Sequence, residues 1–255
     1  MEKQIINEAT PRPTPVLGGN TSTGILKIIA LVFMFIDHSG KMLFQNDVTL
    51  RVLGRIAFPI YCWCLVVGFC YTRSPLKYLL RILLVGVISQ PLYMIALNHT
   101  WKDLNIFWTL FLALAALWGI RERWYLSHIW APLLAILIAI ETNANYGWRG
   151  VVLVLMLYAA REKRGAIAAV MVGMSLAWAG TSSAVRSLFG IDLSWLHNWR
   201  YQTITSAFMR MQTLMLLSLP FILWPMKKNV KMPIWLSYAL YPLHLALLWG
   251  LEQIV

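Results

Sequence analysis

The sequence predicts an all-α polytopic membrane protein, a helical bundle of about nine transmembrane helices within a range of eight to ten. Three observations predict it. Of 255 residues, 59% are hydrophobic and only 13% are charged, about half the charged share of a soluble domain. Mean hydropathy is +0.64, and apolar runs succeed one another from Ile25 to the last residue. Many of the 13 Trp, 10 Tyr and 10 Phe flank those runs, where an aromatic belt meets lipid headgroups.

The elements follow in order. Residues 1–23 (MEKQIINEATPRPTPVLGGNTST) are polar and rich in Pro, Gly and Thr, the composition of a disordered cytoplasmic lead. They lack the basic-then-apolar layout of a signal peptide, so the first span is expected to be retained, and 24–255 forms the transmembrane domain. Nine apolar segments are expected near Ile25–Leu43, Val52–Tyr71, Tyr78–Leu97, Ile106–Ile120, Ile129–Ile140, Gly147–Ala160, Ala166–Gly180, Ile204–Trp224 and Ile234–Val255. A helix crosses the hydrocarbon core with about 20 residues. The first three and last two segments meet that length. The middle four are shorter, and the one around Ile129 reads as a full or a partial span. Between the seventh and eighth, Thr181–Gln202 mixes apolar, aromatic and polar residues, as an interfacial helix or a lid would.

Lys and Arg number 22 against 10 Asp and Glu, a net charge of +12. These charges sit in short clusters between apolar segments, which speaks for topology and for anionic lipid or phosphorylated ligand, and against nucleic acid as a partner. Arg73 and Lys77 follow the second segment, Arg121 and Arg123 the fourth, Arg161, Lys163 and Arg164 the sixth, and Lys227, Lys228 and Lys231 the eighth. The positive-inside rule makes that side cytoplasmic and puts the N-terminus inside. Cys62, Cys64 and Cys70 lie in one apolar run and read as small buried hydrophobes, with no metal-type spacing. Phosphate-loop, serine-hydrolase and zinc-protease signatures are absent from the sequence, and no internal repeat points to an inverted-repeat transporter.

The first span, GILKIIALVFMFIDHSGKM, carries the strongest chemical signal. Lys27 and His38 are eleven residues apart, three turns plus about 20°, so they share a face and are separated by about 16 Å along the axis. Asp37 adjoins His38. An ionisable pair at membrane depth marks a functional site, and a His near neutrality suits proton abstraction. The competing reading ends the span at Asp37, with both side chains snorkelling to the interface. Arg55, before Pro59, is either a ligand contact or a snorkelling arginine. Arg73, Lys77 and Arg81 form a cluster able to grip phosphates; topology accounts for the first two but not for Arg81. In the last span Tyr238, Tyr241 and His244 recur every three residues, one polar face that reads as a cavity lining. Gln90, Asn105 with Thr109, and Tyr146-Gly147 with Gly150 are weaker marks. His99, His128 and His197 fall in loops or at segment ends and receive no role.

At LKIIALVFMFIDHSG, LGRIAFPIY, GFCYTR with KYLLRIL, NIFWTL, NYGWRG and YALYPLHL, in that order from Leu26 to Leu247, the chain resembles the TraX family, membrane proteins implicated in N-terminal acetylation of conjugative pilin. A basic residue ahead of a His and a late Tyr-x-x-His are also similar to the acyltransferase-3 superfamily and to lysosomal heparan-glucosaminide acetyltransferase. The resemblance implies acetyl-CoA as donor substrate, entering from the cytoplasm, and no metal. It implies His38 as catalytic base with Asp37 its partner, Lys27, Arg55 and Arg81 on the donor, and Tyr241 and His244 at the site; the residue pattern adds Arg73 and Lys77 on the donor and Tyr238 and Asn105 at the acceptor. Lys27 stands where that superfamily carries Arg, which keeps the charge and loses the planar fork. The expectation is an acetyltransferase of the bacterial inner membrane acting on a pilin-like or cell-envelope acceptor. O-acetylation of an envelope glycan or lipid, a proton-coupled transporter, and a non-catalytic subunit of a conjugation or secretion apparatus are the alternatives.

Overall fold

The computed structural model describes residues 15–197, 202–226, 230 and 232–254. The fold is mostly helical: α1 Thr23–Met42, α2 Val48–Gly54, α3 Ala57–Tyr71, α4 Pro75–Leu97, α5 Ile106–Glu122, α6 Ser127–Glu141, α7 Gly147–Ala160, α8 Arg164–Ala179, α9 Ser194–His197, α10 Gln202–Phe208, α11 Leu219–Leu223 and α12 Ile234–Glu252. Among the described residues, four stretches are long and apolar enough to cross a membrane: Thr23–Met42, Val48–Tyr71, Pro75–Leu97 and Trp124–Glu141. Gly147–Ala160 and Arg164–Ala179 are shorter apolar helices.

Burial follows the helical period. In α1, Leu26, Ala30, Met34 and His38 face inward while Val32 is half exposed. In α12 the inward residues are Tyr241, His244, Leu245 and Leu248, with Leu243 and Leu247 outward. Outward apolar side chains such as Leu80, Leu84, Val87 and Ile88 of α4 suit a hydrocarbon surround. By contrast α3 is buried on nearly every side, from Ala57 through Phe69, as befits a helix apolar all round. In lipid, helices associate by close van der Waals packing rather than by the hydrophobic effect, and small residues permit it. Gly150 is such a point, since a Cβ there would lie 2.7 Å from Thr109 Cγ2 and 2.9 Å from Phe58 Cζ.

The structure departs from the expected segments in three places. The second apolar segment is interrupted at Arg55–Ile56, between α2 and α3. Pro59 is the cause: it has no N–H for the Arg55 carbonyl, and its ring crowds that carbonyl. The expected span Ile204–Trp224 is not one helix; α10 is followed by a turn, a 3-10 segment at Thr213–Ser218 and the short α11. In Thr181–Gln202 a two-stranded antiparallel hairpin pairs Ser187 with Asp192 and Leu188 with Ile191, and α9 follows it. The hairpin rests on α2 through Phe189 N–H donating to Thr49 Oγ1 (3.1 Å).

The basic residues Lys227, Lys228 and Lys231 lie outside the described residues, as does the lead up to residue 14. Its remainder is docked into the bundle. Gly18 N–H donates to Arg161 O (2.7 Å) and Asn20 N–H to Ile222 O (2.7 Å). The Trp63 indole N–H donates to Asn20 O (2.7 Å), and Asn20 is 1% exposed.

Candidate functional site

Two cavities lie along the inner face of α1. The first, about 50 Å³, is lined by Lys27, Tyr61, Cys64, Tyr78, Tyr238 and Tyr241 among others. The second, about 240 Å³, is lined by Asp37, His38, Lys41, Arg51, Arg55, Tyr93, His99, Tyr146 and Tyr241 among others. Met34, Tyr61, Ile106 and Tyr241 line both, so the two are neighbours separated by one layer of side chains. The eleven-residue spacing of Lys27 and His38 thus places one residue in each cavity, on the same helix.

His38 is held by the far end of the chain. Its Nδ1 lies 2.8 Å from His244 Nε2, with the ring planes 8° apart. His244 Nδ1 lies 3.2 Å from Leu240 O. A carbonyl only accepts, so His244 must carry its proton on Nδ1. Its Nε2 is then a lone pair, and His38 must donate from Nδ1. The tautomer follows: His38 Nε2 is unprotonated and has no protein partner among the described residues. Both rings are buried, His38 at 8% and His244 at 6% exposure. The arrangement performs what the buried acid does in a serine-protease triad, fixing which nitrogen of the base is free.

Asp37 is not the partner of His38. Its Oδ1 accepts from Arg55 Nη2 at 2.7 Å and lies 3.5 Å from Arg51 Nη1. Neighbouring helical residues diverge by about 100°, which turns Asp37 toward α2 while His38 faces α12. Gly54 makes room for the carboxylate, since a Cβ there would lie 2.2 Å from Asp37 Cβ. Arg55, expected on the donor, therefore sits at the His38 end as an ion partner. Breaking one side of such a buried pair costs about 3–5 kcal/mol.

The other expected cations separate from it. Lys27 lines the narrow cavity. Arg73, Lys77 and Arg81 are exposed at the same end of the bundle and line neither cavity. Arg81 lies 5.6 Å from the centroid of the Tyr78 ring. Tyr241 stands in the partition, edge-on to Phe107 at 4.8 Å and to His244 at 5.3 Å between centroids. Asn105 is structural: it caps α5 by accepting from Phe107 N–H (3.0 Å) and donates to Gly86 O (2.7 Å) and Gln90 Oε1 (2.9 Å).

Several members of the larger cavity carry no role in the sequence reading. Lys41 lies one turn beyond Asp37, and its Nζ donates to Leu97 O (3.3 Å) and contacts His99 Nε2 (3.2 Å). His99 stacks on Tyr93 at 4.8 Å. Burial and the Lys41 ammonium push its imidazole below the ordinary value, against the pull of Asp103, and a neutral ring is what Lys41 can donate to. Tyr146 stacks on Phe58 at 3.6 Å from a backbone position with φ +68°, strain of the kind that gathers at functional sites. Thr109 Oγ1 donates to the adjoining Asn145 carbonyl. Spacing alone offers a signal only for Lys41 and Arg51, each a turn away from a partner of Asp37 or from Asp37 itself.

Comparison with known proteins bears on the same helices. A probable fimbrial assembly protein, FimC of serogroup H1 from Dichelobacter nodosus, is 37% identical over 172 residues, 59% of this chain and 68% of that protein. An uncharacterized protein of Rickettsia prowazekii (strain Madrid E) is 31% identical over 98 residues, 38% of this chain and 37% of its relative. No solved structure matches the chain. The model of the TraX protein family matches residues 22–252, which takes in α1 with His38 and α12 with His244, and the chain belongs to that family.

Proposed function

We propose that this protein is a membrane-embedded acetyltransferase that moves an acetyl group from cytoplasmic acetyl-CoA to an acceptor amine, the N-terminus of a pilin-like subunit, on the outer side. The observation that carries the reading is the hydrogen-bonded run from Leu240 O through His244 to His38, which leaves one ring nitrogen of a histidine lining a polar cavity without a protein partner among the described residues. The neighbouring cavity with Lys27 supports a donor approach from the opposite end. Membership of the TraX family and the fimbrial-assembly name of the Dichelobacter relative support a pilus-related acceptor.

The chemistry is acyl transfer. The acceptor nitrogen attacks the thioester carbonyl while His38 Nε2 takes its proton; the C–N bond forms. The C–S bond then breaks, and His38 Nε2 returns the proton to the leaving CoA thiolate. General base assistance of this kind contributes typically about 10²–10⁴-fold. His244 holds the tautomer and is a positioning residue. In this reading the bundle crosses the inner membrane several times, with the N-terminus and the end bearing Lys27, Arg73, Lys77 and Arg81 in the cytoplasm, the side that basic loops favour.

The test is purified protein in nanodiscs with labelled acetyl-CoA, scored for CoA release and label transfer with and without a peptide bearing a free N-terminal amine. Peptide-dependent release that disappears in His38→Ala supports the reading. Release that ignores the peptide and survives His38→Ala removes it.

A further inference from the structure

The cavity beside His38 has an imbalance of charge that base catalysis does not require. Lys41, Arg51 and Arg55 line it, with Asp37 the carboxylate among them. Arg55 and Arg51 share one oxygen of that carboxylate, at 2.7 and 3.5 Å. Arg55 also donates from Nε to Arg51 O (3.1 Å), so its guanidinium is committed. Arg51 is not: the 3.5 Å approach to Asp37 leaves most of its five N–H donors without an acceptor among the described residues. Lys41 has a carbonyl and an imidazole as partners, neither of them charged opposite to it. Asp103, the other carboxylate nearby, lies 3.7 Å from His99, accepts from Thr100 N–H and Oγ1 at 2.8 and 2.7 Å, and does not line the cavity.

Two half-buried cations in excess, with unused donors, form a site for an anion. Resting on the acetyl-transfer reading, we propose that this cavity selects an acceptor carrying a carboxylate close to its amine, an acidic residue within about three positions of the acceptor polypeptide's N-terminus. The distance follows from size. A sphere of 240 Å³ is about 8 Å across, and an extended chain advances about 3.5 Å per residue. The same cations repel an ammonium, so an acceptor amine enters in its neutral, nucleophilic form, and the carboxylate offsets the repulsion.

The experiment uses the full-length protein in nanodiscs, labelled acetyl-CoA and three C-terminally amidated peptides that differ only at the third residue: Asp, Asn or Lys. Expected kcat/KM falls in that order, with Asp over Asn by about tenfold or more, the step expected for one charge-assisted contact. In Arg51→Gln the Asp-to-Asn ratio collapses toward one, and Arg51→Lys restores part of it. Equal rates for Asp and Asn in the wild type would overturn the proposal while leaving acetyl transfer intact. So would an Arg51→Gln variant that raises KM for acetyl-CoA and keeps the peptide preference, since the cavity would then belong to the donor. Peptide binding, followed by tryptophan fluorescence in wild type and His38→Ala, separates the two readings. If no peptide is acetylated yet Asp binds more tightly than Asn, the polypeptide acetyl-transfer reading falls and the anion site stands; with equal binding both fall.

Discussion

At the Lys27 end the space inside the bundle is small, about 50 Å³, and walled by tyrosines and aliphatic side chains around one lysine. At the His38 end it is about 240 Å³ and walled by ionisable groups from α1, α2, α12 and the loops after α4 and α6. Under the proposed acetyl transfer, the difference separates two tasks. The small cavity sets a single lysine among tyrosines and aliphatic side chains. Proton transfer and acceptor selection need fixed charges, and fixed charges at membrane depth persist only where they are paired. Hence Asp37 is spanned by two arginines, and the base is held by a second imidazole rather than by the neighbouring carboxylate.

The comparison breaks most directly at His38. His38→Ala is expected to lower acetyl transfer by about 10²–10⁴-fold while labelled acetyl-CoA still binds. Turnover at the wild-type level would make the polar end a structural device. Next comes the ion pair. Asp37→Asn is expected to destabilise the protein by about 3–5 kcal/mol, and Asp37→Asn with Arg55→Gln by less, because neither partner is then left buried and unpaired. Thermal unfolding in detergent of the two singles and the double measures this. A double variant as unstable as the sum of the singles would remove the pairing.

His244→Ala is expected to cost about tenfold in kcat, the worth of one buried hydrogen bond, with KM for acetyl-CoA unchanged. The readout that a packing role would not move is the ¹⁵N shift of the His38 ring, whose Nδ1-H tautomer loses its partner in the variant. An unchanged ring spectrum would detach His244 from the tautomer. The smallest effects sharpen the donor end. Lys27→Ala is expected to raise KM for acetyl-CoA about tenfold, as loss of one charged hydrogen bond would, whereas Arg81→Ala, at the exposed margin, should stay within about twofold. The reverse order would move the donor's phosphates to the rim of the bundle.

Helical periodicity made part of this site legible. Lys27 with His38, and Tyr238 with Tyr241 and His244, are intrahelical relations, and the structure keeps each set on an inward face. Asp37 was legible as a buried charge but not as an arginine ligand, because its partners depend on where Pro59 interrupts the second segment. The hydrogen bond between His38 and His244 joins residues that share no local pattern. Nor does any period announce that Ile204–Trp224 is broken, or that Asn20 docks against Trp63 instead of trailing in solvent. In each case hydropathy reports that a residue is buried, while the partner is chosen by the helix that arrives beside it.

The contact between His38 and His244 spans 206 positions of sequence, and it sets an order of events during biosynthesis. At about 5–20 residues per second, α1 is made at least about ten seconds before α12. Throughout that interval the imidazole of His38 has no partner to orient it. The ring of His38 is therefore oriented only once α12 has been made and has joined α1.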